Sequence, residues 1–348
     1  MPLQSSIVNH QSSIGWGILG TGTIARTFAK AVIESRTGQL VGVGSRAQET
    51  ADRFDEEFDV PHRYDSYAGL LKDEEVQAVY ISLPNHLHAE WTIKCAEAGK
   101  AILCEKPLTV DCTQAKTVIG AVRQHNVFLM EAFMYRCHPQ TARLVQLVKK
   151  GTIGEVKLIQ SNFGYRLGSQ YDNIRLQNAA AGGGIMDVGC YTASMTRLIA
   201  GAALGQEVAE PIEVKGCAYI GAVSRVDEQA TASLKFPGGI VANLACGSEV
   251  MVDRKLRIWG SEGSIVVPNP WFPVQAENTI IVNRTEGEPE EVIVEADGGL
   301  YSIEADTVAR YLRDKEAPSP CMTWTDSLGN MKTLDLWRQS VGLVFDET

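Results

Sequence analysis

Short apolar runs alternate with helical periodicity through the first part of the chain. Gly15-Trp16-Gly17-Ile18-Leu19 reads as a buried strand, and Ile24, Phe28 and Val32, with Ala25 and Ala29 beside them, mark the face of a helix directly after it. Residues 39–44 form a second strand, 47–58 are charged and helix-forming, and Leu70-Leu71-Lys72-Asp73 closes a short helix. A buried strand follows over 76–83, then a helix over 88–98 with Trp91 and Cys95 on one face and Gly99 at its end, then a strand over 100–104. A helix over 111–125, a strand over 127–132 and a helix over 140–150 complete this part. Such alternation predicts an α/β domain with a doubly wound parallel sheet.

The pattern changes after Gly154. Residues 156–163, 212–222, 229–236, 239–247, 256–267, 279–283 and 291–295 read as half-buried strands, and Phe236-Pro237-Gly238-Gly239-Ile240 as a tight hairpin. Helices over 302–313 and 325–345 finish the chain. The second part is therefore predicted to be an α+β domain with a large, mainly antiparallel open β-sheet. The expected boundaries are a tail over 1–13, a first domain over 14–135 and a second over 136–348, with the 325–345 helix packing back on the first domain.

Composition narrows the classes. Hydrophobic residues make up 45% and charged residues 21%, as in an ordinary soluble protein. A net charge of −10 without a basic block argues against nucleic-acid or anionic-membrane partners. The 8 cysteines show no Cys-x-x-Cys spacing and suit a reducing, cytoplasmic setting. The 6 histidines lie at or before His138 without a His-x-x-x-His pair, so no metal site is expected. Residues 1–13 lack Lys, Arg and an apolar core, so they read as neither signal nor transit peptide. No apolar run approaches the ~18 residues of a membrane span.

Several stretches carry chemistry. Gly20-Thr21-Gly22-Thr23-Ile24-Ala25 between strand and helix is the setting of a dinucleotide-binding turn, which assigns the first domain a Rossmann role. Gly20 allows the turn, Gly22 admits the pyrophosphate, Thr23 and Ile24 open the helix whose amides receive it, and Ala25 lets helix and strand pack closely. At the end of the second strand, where NAD-binding units place an acid, stand Ser45 and Arg46. A hydroxyl and a guanidinium suit a 2′-phosphate, which favours NADP(H) and leaves NAD(H) acceptable. Leu83, Pro84, Asn85, His86 and His88, and then Glu105 and Lys106 before Pro107, sit at or just past strand ends where such sheets bind ligands, and are assigned to the cofactor. Gly182-Gly183-Gly184-Ile185-Met186-Asp187-Val188-Gly189-Cys190-Tyr191 would set Asp187 and Tyr191 on one helical face.

In order and spacing these motifs resemble the Gfo/Idh/MocA oxidoreductases. Met130-Glu131-Ala132-Phe133-Met134-Tyr135-Arg136-Cys137-His138-Pro139 looks most like the branch holding dimeric dihydrodiol dehydrogenase and NADP-dependent D-xylose dehydrogenase, from which Cys137 departs, since many relatives carry phenylalanine there. The resemblance implies hydride transfer between nicotinamide C4 and a carbinol or carbonyl carbon of a sugar or related polyol. It implies Lys106, Asp187 and Tyr191 at the reaction centre, and a homodimer or homotetramer built on the C-terminal sheet. On chemical grounds Tyr191 is the acid/base, with its pKa lowered by Lys106, and Asp187 positions. Tyr135, Arg136, His138, Arg166, Asp172 and Arg175 are expected to border the substrate cleft. Two alternatives stand beside this reading: a non-catalytic dinucleotide sensor, and an enzyme that recycles a tightly held cofactor.

Overall fold

The computed structural model describes residues 13–346, so of the expected tail only Ser13 is among the described residues. Strands β1 (Ile14–Leu19), β2 (Gly38–Gly44), β3 (His62–Tyr64), β4 (Ala78–Ile81), β5 (Ala101–Glu105) and β6 (Leu129–Ala132) form a parallel sheet ordered β3-β2-β1-β4-β5-β6. β1, β4 and β5 are buried along their whole length, which is why they read as continuous apolar runs. Helices α1 (Thr23–Glu34), α2 (Gln48–Phe58), α3 (Tyr67–Leu71), α4 (His88–Glu97) and α5 (Cys112–His125) connect them. The side chain of Asp111 caps α5 by accepting from the Gln114 amide at 2.8 Å. Strand order reverses between β1 and β4, and such a reversal opens a ligand crevice at the strands' carboxyl ends.

After β6 come α6 (Met134–Cys137) and α7 (Pro139–Lys149). The second sheet holds β7 (Val156–Gly164), β8 (Glu213–Ile220), β9 (Asp227–Lys235), β10 (Val241–Gly247), β11 (Leu256–Gly260), β12 (Gly263–Val267), β13 (Asn278–Arg284) and β14 (Glu290–Val294). Its order is β14-β13-β12-β11-β7-β10-β9-β8, and only the β7–β10 pair is parallel. One face packs on α8 (Cys190–Ala203), whose residues are almost all buried. The other face leaves alternate residues in solvent, including Val241, Tyr219 and Ile293.

Two more helices, α9 (Leu300–Tyr311) and α10 (Trp324–Ser340), return the chain to the first sheet's side, where α9 meets α1 and α10 meets α5. α10 stops at Ser340, short of the expected 345, where Gly342 turns the chain through φ +72°. Asp326 of α10 pairs with Arg136 of α6 (Nη2–Oδ2 2.5 Å) and with Arg197 of α8, all three nearly inaccessible to water. Removing one partner of such a buried set strands the others' charge, at a typical cost of about 3–5 kcal/mol.

Candidate active site

The turn after β1 opens the crevice. Gly20 takes φ +100°, and a Cβ there would press on Ser82 Oγ, so both its angle and its neighbour call for glycine. A Cβ on Gly22 would meet no atom within 4 Å, so the cradle beside the first turn of α1 is open. That cradle belongs to a cavity of about 620 Å³ lined by Gly20, Gly22, Ser45, Arg46, Ser82, Leu83 and Pro84. The amides opening α1, with Thr23 exposed and Ala25 buried behind it, fit a dinucleotide's pyrophosphate. Ser45 exchanges a hydrogen bond with Thr50, and Arg46 is exposed with no carboxylate in ion-pair reach among the described residues.

A second cavity, of about 350 Å³, shares Ser82, Leu83 and Ile174 with the first, so the two adjoin. Ile24, Asn85, His88, Glu105, Lys106, Asp187 and Tyr191 line it. Lys106 stands at the end of β5 and reaches across to the second domain. Its Nζ donates to the Asp187 carbonyl at 2.7 Å and to Asp187 Oδ1 at 3.2 Å. Burial works to lower the lysine pKa, but Asp187, Cys190 and Glu105 together outweigh it and the ammonium is held above its usual value. Burial works to raise Asp187, and the charges of Lys106 and Arg175 outweigh it, holding the carboxyl at about 2. Arg175 Nε donates to the same Oδ1 at 3.2 Å, and the Tyr165 hydroxyl donates to Oδ2.

The glycine run that delivers Asp187 is shaped by its neighbours. Gly183 takes φ +105° and lies against the Asp227 carboxylate, which accepts from the Ile185 amide at 2.6 Å. Ile185–Gly189 then forms a π-helical turn before α8 begins. The wider turn separates the two side chains expected on one face: Asp187 goes to Lys106, while the Tyr191 hydroxyl donates to Met134 Sδ at 3.5 Å. Lys106 sits over the Tyr191 ring, 5.0 Å from its centroid, and not at its hydroxyl. The expected lowering of the Tyr191 pKa is therefore corrected: burial, reinforced by Tyr301 and Glu105, pushes it well above 10.

Other expected residues sort by position. Asn85 bridges the domains, donating to the Ala181 carbonyl at 2.8 Å. His86 lies in the one-turn helix Asn85–Leu87, and His88 begins α4, where the helix over 88–98 was expected to start. His88 is buried between the carbonyls of Leu83 and Pro107, each 2.8 Å from a ring nitrogen. The Lys106-Pro107 bond is cis. Glu105 is buried and accepts from the Tyr80 hydroxyl, and burial raises its pKa.

Of the expected substrate residues, Arg175 lines the cleft. Tyr135, Arg136 and His138 do not, because α6 turns inward at the domain junction. Tyr135 stacks on the far side of Tyr191's neighbourhood (centroids 5.6 Å) and bonds Ser194, Arg136 pairs with Asp326, and His138 caps α7. Arg166 and Asp172 are exposed loop residues outside the cavity.

The sequence reading missed Tyr165, Arg254, Tyr301, Phe163 and Phe272, all of which line the cleft, and Asp227 behind it. The run Asn269-Pro270-Trp271-Phe272-Pro273, two aromatics between prolines in a loop, was a visible signal; Arg254, flanked by Asp253 and Lys255, looked like solvated surface.

Comparison with known proteins matches residues 14–133 to the model described as oxidoreductase family, NAD-binding Rossmann fold, and residues 141–266 to the GFO/IDH/MocA C-terminal domain. The chain is 32% identical over 322 residues to D-xylose 1-dehydrogenase (NADP(+)) 2 of Haloferax volcanii, covering 92% of this chain and 95% of that one. It is 28% identical over 342 residues to trans-1,2-dihydrobenzene-1,2-diol dehydrogenase of Mus musculus, covering 96% and 99%. A solved 3-ketoreductase from Actinomadura kijaniata, in complex with NADP and TDP-benzene, superposes with a TM-score of 0.85 at 26% identity, covering 95% and 98%.

Burial raises the Asp227 pKa to about 7, against the opposing pull of the Ile185 amide. A carboxyl whose folded pKa is raised contributes stability that is complete below its unfolded value near ~3.9 and is lost as pH rises to about 7. Relative to wild type, Asp227→Asn is expected to gain about 2–3 kcal/mol between pH 5 and pH 8. Urea unfolding at the two pH values measures this, and an unchanged difference would count against a buried, raised Asp227.

Proposed function

We propose that this chain, which belongs to the Gfo/Idh/MocA oxidoreductase family, transfers hydride between NADP(H) and a carbinol or carbonyl carbon of a sugar or related polyol. The observation that carries the reading is the Lys106–Asp187 pair, held at the carboxyl end of β5 where the open dinucleotide crevice runs into a second cavity. Bound in that crevice, the nicotinamide supplies or accepts the hydride.

The protein's own groups manage the proton. Lys106 has three N–H donors and spends two on Asp187, so one is free for a substrate oxygen. Its fixed positive charge stabilises an oxygen that becomes alkoxide-like as the hydride moves. Tyr191 is kept neutral by burial and can give its proton to that oxygen in reduction. Its present acceptor, a thioether sulfur, is weak and is readily exchanged for a substrate oxygen. In oxidation the step reverses only after Tyr191 has given up its own proton to solvent: the carbinol C–H then leaves as hydride and the substrate hydroxyl proton passes to the Tyr191 phenolate, a form that burial disfavours and the nearby Lys106 ammonium favours. Asp187 fixes Lys106 in place and in charge, and Arg175 is the group among those expected from sequence that borders the substrate.

Arg46, beside Ser45 and Thr50 and without an ion-pair partner among the described residues, is the proposed seat of the 2′-phosphate, in keeping with the NADP named for the xylose dehydrogenase and ketoreductase relatives. Arg46→Ala is expected to weaken NADPH binding by roughly 1.5–3 kcal/mol while leaving NADH binding near its original value. Fluorescence titration with both nucleotides reads this; equal NADPH affinity in variant and wild type would refute the assignment.

Lys106→Met and Tyr191→Phe are each expected to reduce kcat by at least ~100-fold with cofactor affinity largely kept. Absorbance at the reduced nicotinamide, followed over a panel of sugars and polyols, is the assay. Near-normal turnover by both variants would remove them from the chemistry.

A further inference from the structure

Among the described residues three cations line the inner cavity: Lys106, Arg175 and Arg254. Two of them are already answered by Asp187. Arg254 is not. It sits in the loop joining β10 to β11, exposed, with no carboxylate in ion-pair reach among the described residues. The acids beside it in sequence are engaged elsewhere: Asp253 takes Arg257 at 2.7 Å and Asn162 at 3.0 Å, and Glu249 takes the Ser169 amide at 3.0 Å. The cavity's other carboxylate, Glu105, lies on the Rossmann side and is bonded to Tyr80. The substrate end of the cleft is thus locally positive in a chain whose net charge is −10.

What lies between Arg254 and the reaction centre is aromatic. The Arg254 guanidinium stands 5.5 Å from the Phe163 centroid, Phe163 meets Tyr191 edge-on at 5.2 Å, and Lys106 stands 5.0 Å from the Tyr191 centroid. Phe272 packs on Phe163 at 5.7 Å and is 38% exposed, so an apolar wall remains open to a ligand. Two cations therefore bracket one aromatic surface. An apolar wall of this kind takes the carbon face of a sugar ring, and a guanidinium takes an oxyanion. A cavity of about 350 Å³ lies at the small end of ligand pockets, and since it also has to admit the nicotinamide it suits a single sugar ring and no longer saccharide.

We infer that the substrate is a sugar bearing an anionic substituent, a carboxylate or a phosphate ester, which is held by Arg254 while its reacting carbon lies at Lys106. This rests on the cleft being the sugar-oxidoreductase site proposed above. Arg254 is a specificity residue in this account, and the reaction itself is unchanged.

The test compares matched sugars with NADP⁺: glucose, glucuronate and glucose 6-phosphate, and galactose with galacturonate. Wild type, Arg254→Gln and Arg254→Lys are assayed. The anionic member is expected to have a kcat/KM at least roughly tenfold above its neutral parent, and Arg254→Gln is expected to erase most of that ratio through KM, with Arg254→Lys restoring part of it. The carboxylate and phosphate arms decide which oxyanion is native. Turnover of neutral sugars with no anionic preference, or a ratio untouched by Arg254→Gln, overturns the inference and leaves the proposed function standing. If no sugar is turned over, that proposed function fails, and calorimetric titration of glucuronate and glucose 6-phosphate into the NADP⁺-loaded protein still judges Arg254. Equal affinity in wild type and Arg254→Gln would then overturn the oxyanion assignment.

Discussion

The site depends on one buried ion pair formed between domains. Lys106 comes from the end of a strand in the Rossmann sheet, and Asp187 from a π-helical turn that opens the second domain's central helix. Each side chain is only about a tenth exposed, at 13% and 11%, so the lysine's charge would not be tolerated without the carboxylate. Arg175 and Tyr165 complete the carboxylate's shell, and Lys106 with these two holds it ionised to about pH 2. That fixed negative charge keeps the lysine protonated in a place where burial alone would favour losing the proton. An ammonium that never titrates near neutrality is a suitable partner for an oxygen that gains charge during hydride transfer.

Other interactions serve this geometry from behind. Asn85 ties the loop after β4 to the chain just before the glycine run, and Asp227 anchors the run itself through the Ile185 amide. His88 spans from Leu83 to Pro107, joining two of the loops that line the crevice. Deeper still, Asp326 between Arg136 and Arg197 locks three helices of the second domain together. The cleft is therefore held by polar contacts on both sides, and its floor is aromatic.

Much of this was legible in the sequence. The period-two and helical patterns give both sheets, because strands buried on two faces stay apolar throughout and strands buried on one face alternate. The glycine turn was legible from the strand and helix that flank it, and Lys106 and Asp187 were picked out by the resemblance of their motifs to the family's; the fold brings the two side chains into contact. The behaviour of Tyr191 was not, since a π turn shifts its direction by an amount no spacing reveals. Arg136 looked like a cleft residue because a charged side chain is normally assumed to seek solvent or ligand. Its partner, Asp326, lies 190 residues away. Arg254 was hidden for the opposite reason: a charged loop looks like surface until the fold brings Phe163 beneath it.

In the proposed reaction the space beside the Lys106–Asp187 pair receives the reactive end of the dinucleotide. A crystal structure of the NADP⁺ complex tests it most directly. Nicotinamide C4 is expected in the cavity bordered by Lys106 and Tyr191, with the Lys106–Asp187 pair intact. A nicotinamide ring outside that cavity, or Lys106 turned to solvent with Asp187 left to Arg175 alone, would contradict it.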